Sequence, residues 1–130
     1  MKIFSVLVLS CLIVGLAAGC ASSYGTPGHG LYPLTPGGDQ YFALDWQPGE
    51  RKGRPVLTGT VTNRYGATAV RVQLLVEALD ESDNVKSQNV VWLGDDIAPF
   101  DHAYFEVPVD KSPKYRVRPF AFDWKGRAGP

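Results

Sequence analysis

Residues 55–80 read PVLTGTVTNRYGATAVRVQLLVEALD, and this stretch restricts the fold more than any other. Leu57, Gly59 and Val61 alternate with Thr58, Thr60 and Thr62, the period-two signature of a half-buried strand rich in β-branched side chains. Val70, Val72, Leu74, Val76 and Ala78 then form the apolar face of a second strand whose other face carries Arg71, Gln73 and Glu77. Arg64-Tyr65-Gly66-Ala67-Thr68 between them predicts a short reversal, with Gly66 at positive φ, and so a hairpin. A hairpin with one apolar face is not stable alone, and further strands must cover it.

The flanking sequence supplies those strands. Residues 41–46 (YFALDW) alternate, Gln47-Pro48-Gly49 predicts a turn, and Glu50-Arg51-Lys52-Gly53-Arg54 a polar loop. Residues 80–84 (DESDN) predict a turn in which short polar side chains bond their own backbone. Residues 85–93 form a further strand with Val91 and Leu93 inward. Ala103, Phe105, Val107 and Val109 alternate with polar neighbours, and Pro108 marks an edge or a bulge. In residues 115–124 the apolar parity slips at Arg118-Pro119, which a bulge reconciles. Six strands and no helical period predict an antiparallel β-sandwich of immunoglobulin or fibronectin-III-like form over residues 40–125.

The N-terminus is built differently. Met1-Lys2 is followed by an apolar run over residues 3–16, too short to span a bilayer comfortably, and then by small residues, so residues 1–19 read as a leader peptide. Leu16-Ala17-Ala18-Gly19-Cys20 resembles the lipobox of bacterial lipoproteins, with Ala17 where leucine is usual. The resemblance implies cleavage before Cys20, a diacylglycerol on its sulfur and acylation of the new amino terminus. The alternative is ordinary secretory cleavage after Ala18 or Ala21. By enterobacterial sorting, Ala21 in place of aspartate implies the outer membrane. Residues 20–39 are dense in Gly, Pro and Ser and read as a tether, within which Leu31, Tyr32 and Leu34 suit a short edge strand.

Composition removes several kinds of chemistry. The only cysteines are Cys11 and Cys20, so the domain itself has no disulfide, thiolate metal site or cysteine nucleophile. With 13 basic and 13 acidic residues, nothing points to nucleic acid. His29 and His102 lack a second histidine at ligand spacing. Asp95, Asp96, Asp101 and His102 cluster around one loop, as do Asp80, Glu81 and Asp83 around another, but neither matches a cation-binding loop and both read as solvated turns. No nucleophile elbow, S-x-x-K pair or phosphate loop occurs, so neither an enzyme nor a bound cofactor is expected.

A pentamer recurs. Residues 42–46 (FALDW) return as residues 120–124 (FAFDW), and parallel pairing of first and last strands would bring Trp46 and Trp124 together. They are candidates for an aromatic platform, against the plainer expectation that both cap the core. Charge is segregated too. Acids fill residues 77–110, while Lys111, Lys114, Arg116, Arg118, Lys125 and Arg127 follow; cross-sheet pairing is the expected fate, a basic surface for anionic polymers the alternative.

Gly59, Val61, Asn63, Leu79, Asp80 and Phe105, as set in LTGTVTN, VRVQLLVEALDESDNV and IAPFDHAYFEV, resemble the FxLYD-type immunoglobulin-like domains of secreted bacterial proteins. Ala78 stands where tyrosine is usual, and Asp83-Asn84 replace a glycine turn. The motif specifies fold more than function. Together these readings give a lipid-anchored, non-catalytic interaction module facing the periplasm. Its expected partner is an envelope protein, for which strand addition along residues 41–46 is one mode of engagement, with a glycan or anionic polymer as the alternative.

Overall fold

Residues 30–126 are described by the computed structural model; the expected leader of residues 1–19, Cys20, His29 and Arg127 lie outside them. A single turn of helix, α1 (Gly38–Tyr41), leads into six strands: β1 (Phe42–Arg51), β2 (Arg54–Asn63), β3 (Ala69–Leu79), β4 (Val85–Trp92), β5 (His102–Pro108) and β6 (Lys114–Trp124). They form two antiparallel sheets ordered β1-β2-β5 and β4-β3-β6. The alternating apolar faces meet between the sheets: Phe42, Leu57, Val61, Phe105 and Val107 from one, Val72, Leu74, Val76, Val117 and Phe122 from the other. This is the all-β sandwich that the alternation demands.

The expected hairpin of residues 56–78 is not one. β2 lies at the centre of one sheet and β3 at the centre of the other, so the segment between them crosses from layer to layer. Gly66 is not at positive φ. The reversal is organised by Asn63, wholly buried at the end of β2. Its Nδ2 donates to the carbonyls of Ala67 (2.8 Å), Ile97 (3.0 Å) and Ala98 (3.3 Å), while its Oδ1 accepts from the Tyr65 amide (2.9 Å). An amide side chain thereby supplies the turn that a backbone glycine was expected to make.

Arg71 carries the positive φ (52°) instead, and the β3–β6 register shifts there. The extra residue puts Ala69 rather than Val70 into the core. The bulge expected in the last strand is present: Gln73 pairs with Ala121 and Leu74 with Pro119, leaving Phe120 over.

The turn expected at Gln47-Pro48-Gly49 is strand instead, and the reversal falls within the expected loop of residues 50–54. β1 runs through Pro48-Gly49 to Arg51, which an edge strand tolerates because the missing proline N–H falls on the unpaired side. The chain reverses at Lys52-Gly53 (φ 50° and 74°), a two-residue turn whose left-handed residues match the strand twist. Farther along, Gly59 lies opposite Trp46, and a Cβ there would come within 2.2 Å of the Asp45 carbonyl oxygen. Only glycine lets the two backbones approach this closely.

Residues 31–38 do not belong to a free tether. The Leu31 amide donates to Gln88 Oε1 (2.7 Å) on β4, and Gln88 Nε2 returns a bond to the Leu31 carbonyl (3.0 Å). The amides of Leu34 and Thr35 donate to the Phe120 carbonyl, and Thr35 Oγ1 accepts from the Phe122 amide. The segment therefore straps the outer face of the β4-β3-β6 sheet and covers part of the exposed edge of β6.

Replacing Asn63 with Ala takes the side-chain donor from the Ala67 carbonyl and the acceptor from the Tyr65 amide, while Ile97 and Ala98 keep the Ala69 and Asp101 amides, and a loss of about 1–3 kcal/mol is expected. Urea unfolding is expected to show a lower midpoint at unchanged m-value; an unchanged midpoint would show that the crossing is held by something else.

Candidate binding face

Strand alternation sends Leu57, Gly59 and Val61 inward and Thr58, Thr60 and Thr62 outward, so the outer face of the β1-β2-β5 sheet carries a central row of hydroxyls. Register sets what borders them. Asp45, Thr60 and Tyr104 form one cross-strand row, and Gln47, Thr58 and Glu106 the next. The floor between the rows is the backbone of Trp46, Gly59 and Phe105, the cross-strand row of inward parity. These residues line an open groove of about 600 Å³. Tyr104 stands at its rim, 78% exposed, with the His102 ring edge-on to it at 5.4 Å. The groove offers hydroxyls, an amide, two carboxylates and one aromatic ring face.

The expected sites fare differently. Trp46 and Trp124 are each half-buried against the core, and they do not meet. Phe42 stacks on Trp124 (5.8 Å between ring centres, 12° between planes) and meets Phe122 edge-on at 5.0 Å. Trp46 instead borders a groove with Lys114, Tyr115 and Arg116 at the start of β6. The two pentamers thus face each other across the layers in opposite directions, in different sheets rather than side by side in parallel. That separates the tryptophans and removes the platform. The exposed indole is Trp92, at 61%.

Asp80 accepts from the amides of Ser82 and Asn84 (both 2.9 Å), and Asp101 accepts from the amide of His102 (2.8 Å). Both shape turns. Among the described residues no three His, Cys, Asp or Glu side chains are grouped to hold a metal ion.

Charge pairing takes three of the five C-terminal cations among the described residues, Arg127 lying outside them. Lys114 meets Asp83 (3.0 Å), and both Arg116 and Arg118 reach Glu77. Glu77 is on the outer face of β3, 1% exposed, and also accepts from Gln88 Nε2 (2.9 Å), the side chain that holds Leu31. Burial pushes its carboxyl up, but the hydrogen bonds from Arg116 and Gln88 and the charges of Arg118 and Arg116 outweigh this and hold it below the ordinary value of 4.5. The strap, the β4 edge and the β6 cations are joined through this one carboxylate.

Several residues of the groove had not been singled out. Thr58, Thr60, Tyr104 and Glu106 are legible as the outward members of alternating strands, but alternation does not say which outer face stays open. The open one is the face with no strap. No family model, curated protein or solved structure matches the chain.

A lowered folded-state carboxyl stabilises fully above its unfolded pKa and loses that contribution as pH falls through the folded one. Stability is therefore expected to decline below about pH 4.5, with Asp80, lowered first by its bonds from Asn84, adding a smaller slope. Glu77→Gln is expected to cost roughly 1–3 kcal/mol at neutral pH, the low side of a broken buried pair, because Arg116 is 43% exposed and reaches water. Urea midpoints measured across pH are expected to show a shallower acid decline for this variant; parallel curves would remove Glu77 as the acid-sensitive group.

Proposed function

We propose that this chain is a non-catalytic interaction module of the bacterial envelope, of the FxLYD-type immunoglobulin-like kind, anchored by lipid on Cys20 and facing the periplasm, from the outer membrane. The observation that carries the reading is the contrast between the two outer faces: one is crossed by the strap, the other is an open groove. Nine residues lie between Cys20 and Gly30, ten Cα–Cα steps that span at most about 35 Å. With Leu31 held on β4, the strapped face lies toward the anchor and the grooved face looks away from it, free to meet a partner. The motif residues support a structural reading of the resemblance. Gly59 admits Trp46, Asn63 ties the crossing and Asp80 shapes a turn, and none of them lends chemistry to the groove surface. An envelope protein is the first partner, and β1, an edge strand as far as Pro48, suits strand addition along Phe42, Ala43, Leu44 and Asp45.

A second reading, glycan binding, is favoured by the groove lining itself: hydroxyl, amide and carboxylate groups beside an exposed aromatic ring. The basic C-terminal surface considered for anionic polymers is weakened by the pairing of Lys114, Arg116 and Arg118 with carboxylates.

Metabolic palmitate is expected to label the chain and to be lost in Cys20→Ala; absence of label on the native chain would overturn the anchor. A photo-crosslinker placed at Thr60 in intact cells is expected to give envelope adducts that the same group at Val90 does not. Adducts confined to Val90 would reverse the orientation.

A further inference from the structure

The grooved face does not end at the threonines. Beyond Glu106 it continues into a second depression of about 470 Å³, lined by Arg51, Lys52, Arg54, Val56, Glu106 and Pro108. Glu106 borders both depressions, so they form one continuous surface. From Thr60 to Arg54 along β2 it runs roughly 20 Å at about 3.3 Å per residue, the length of a short oligomer rather than a single ring.

Charge along this surface is polar. At one end lie Asp45 and Gln47 with the two threonines. At the other are three cations at the tip of the β1–β2 hairpin. Arg51 reaches across β2 to Glu106 (2.5 and 2.6 Å), which neutralises it and fixes its guanidinium. Lys52 and Arg54 reach no carboxylate among the described residues, and both are exposed. Lys52 is the first residue of the two-residue turn, left-handed at both positions, and Arg54 directly follows it, so their backbone is held rather than loose.

We propose that this face binds an acidic saccharide, with sugar rings over Thr58, Thr60 and Tyr104 and a carboxylate or phosphate at Arg54 and Lys52. The inference rests on the glycan reading of the same groove. Sugar hydroxyls both donate and accept, which suits the carboxylates of Asp45 and Glu106, the amide of Gln47 and the threonine hydroxyls. The C–H face of a ring stacks on Tyr104. A uniformly charged polyanion would set its charges against Asp45 and find no free cation among the described residues of this surface beyond the hairpin tip, whereas an acidic saccharide keeps its charge sparse and its remainder neutral. The hairpin tip therefore sets both the class of ligand and its direction on the sheet.

Calorimetric titration of the full chain with oligogalacturonate, with maltohexaose as the neutral sugar and polyglutamate as the non-sugar polyanion, tests this. Oligogalacturonate is expected to bind more tightly than either control. Arg54→Glu is expected to weaken it about tenfold or more, a change of about 1.4 kcal/mol. Tyr104→Ala is expected to weaken acidic and neutral sugars alike. Both side chains are exposed, so unchanged urea midpoints verify that the variants fold. Equal binding of maltohexaose and oligogalacturonate, indifferent to Arg54→Glu, overturns the acidic specificity and leaves the glycan reading standing. Polyglutamate binding as tightly as oligogalacturonate overturns the saccharide class. No binding of any sugar overturns both.

Discussion

The buried amide of Asn63 decides the topology. It sits where three segments converge: the end of β2, the crossing to β3, and the loop before β5. One side chain bonds all three, and the Asn63 backbone amide donates to the Asp101 carbonyl as well (2.8 Å). Beside it, Ala69 and Ile97 exchange both backbone hydrogen bonds (2.9 Å each). Burying an uncharged amide with its donors and acceptor engaged costs little, whereas a buried polar group left without its partner costs about 1–3 kcal/mol. This end of the sandwich is therefore closed by polar bonds that define one path for the chain. Hydrophobic burial alone would accept several.

Glu77 plays the converse part on the opposite sheet. Its charge is buried, which is expensive unless paired, and it is paired twice over. What the arrangement brings is specificity of position. Arg116 and Arg118 set the β6 register against β3, and Gln88 passes the restraint to Leu31. The strap then lies in one place, on the sheet whose central strand carries the wholly buried Leu75. A cross-strand pair seldom adds much at a surface; here it is worth more because the carboxylate end is buried, although both guanidinium groups still reach water.

Layers, strand count and the apolar face of nearly every strand were legible, because a period of two survives any choice of partner. Partner choice was not legible. Residues 56–63 and 69–79 look like a hairpin in one dimension, and only the bonds of Asn63 to residues 97 and 98, more than thirty positions away, make them a crossing. The parity slip at Pro119 was readable because it broke a pattern; the bulge at Arg71 was not, since Val70 and Val72 continue the alternation in letters while the backbone departs from it. The strap escaped for a different reason. Its Gly and Pro content matches a free coil, and it is ordered by groups on other strands. The binding face was half visible: the outward threonines could be named, but not that they would stay uncovered.

A small sandwich has two outer faces and two pairs of edges to protect. Here one face and one edge are covered by eight residues of the chain's own N-terminus. β1 carries Pro48 and Gly49 toward the end of its exposed edge, which limits how far another strand can pair with it. What stays open is a face whose side chains are hydroxyls, carboxylates and cations, groups that lose little by facing water. Such a surface does not drive association through apolar burial. It selects a ligand able to replace water bond for bond, and the Lys52-Gly53 turn, by holding two uncompensated cations at one end, makes that selection directional.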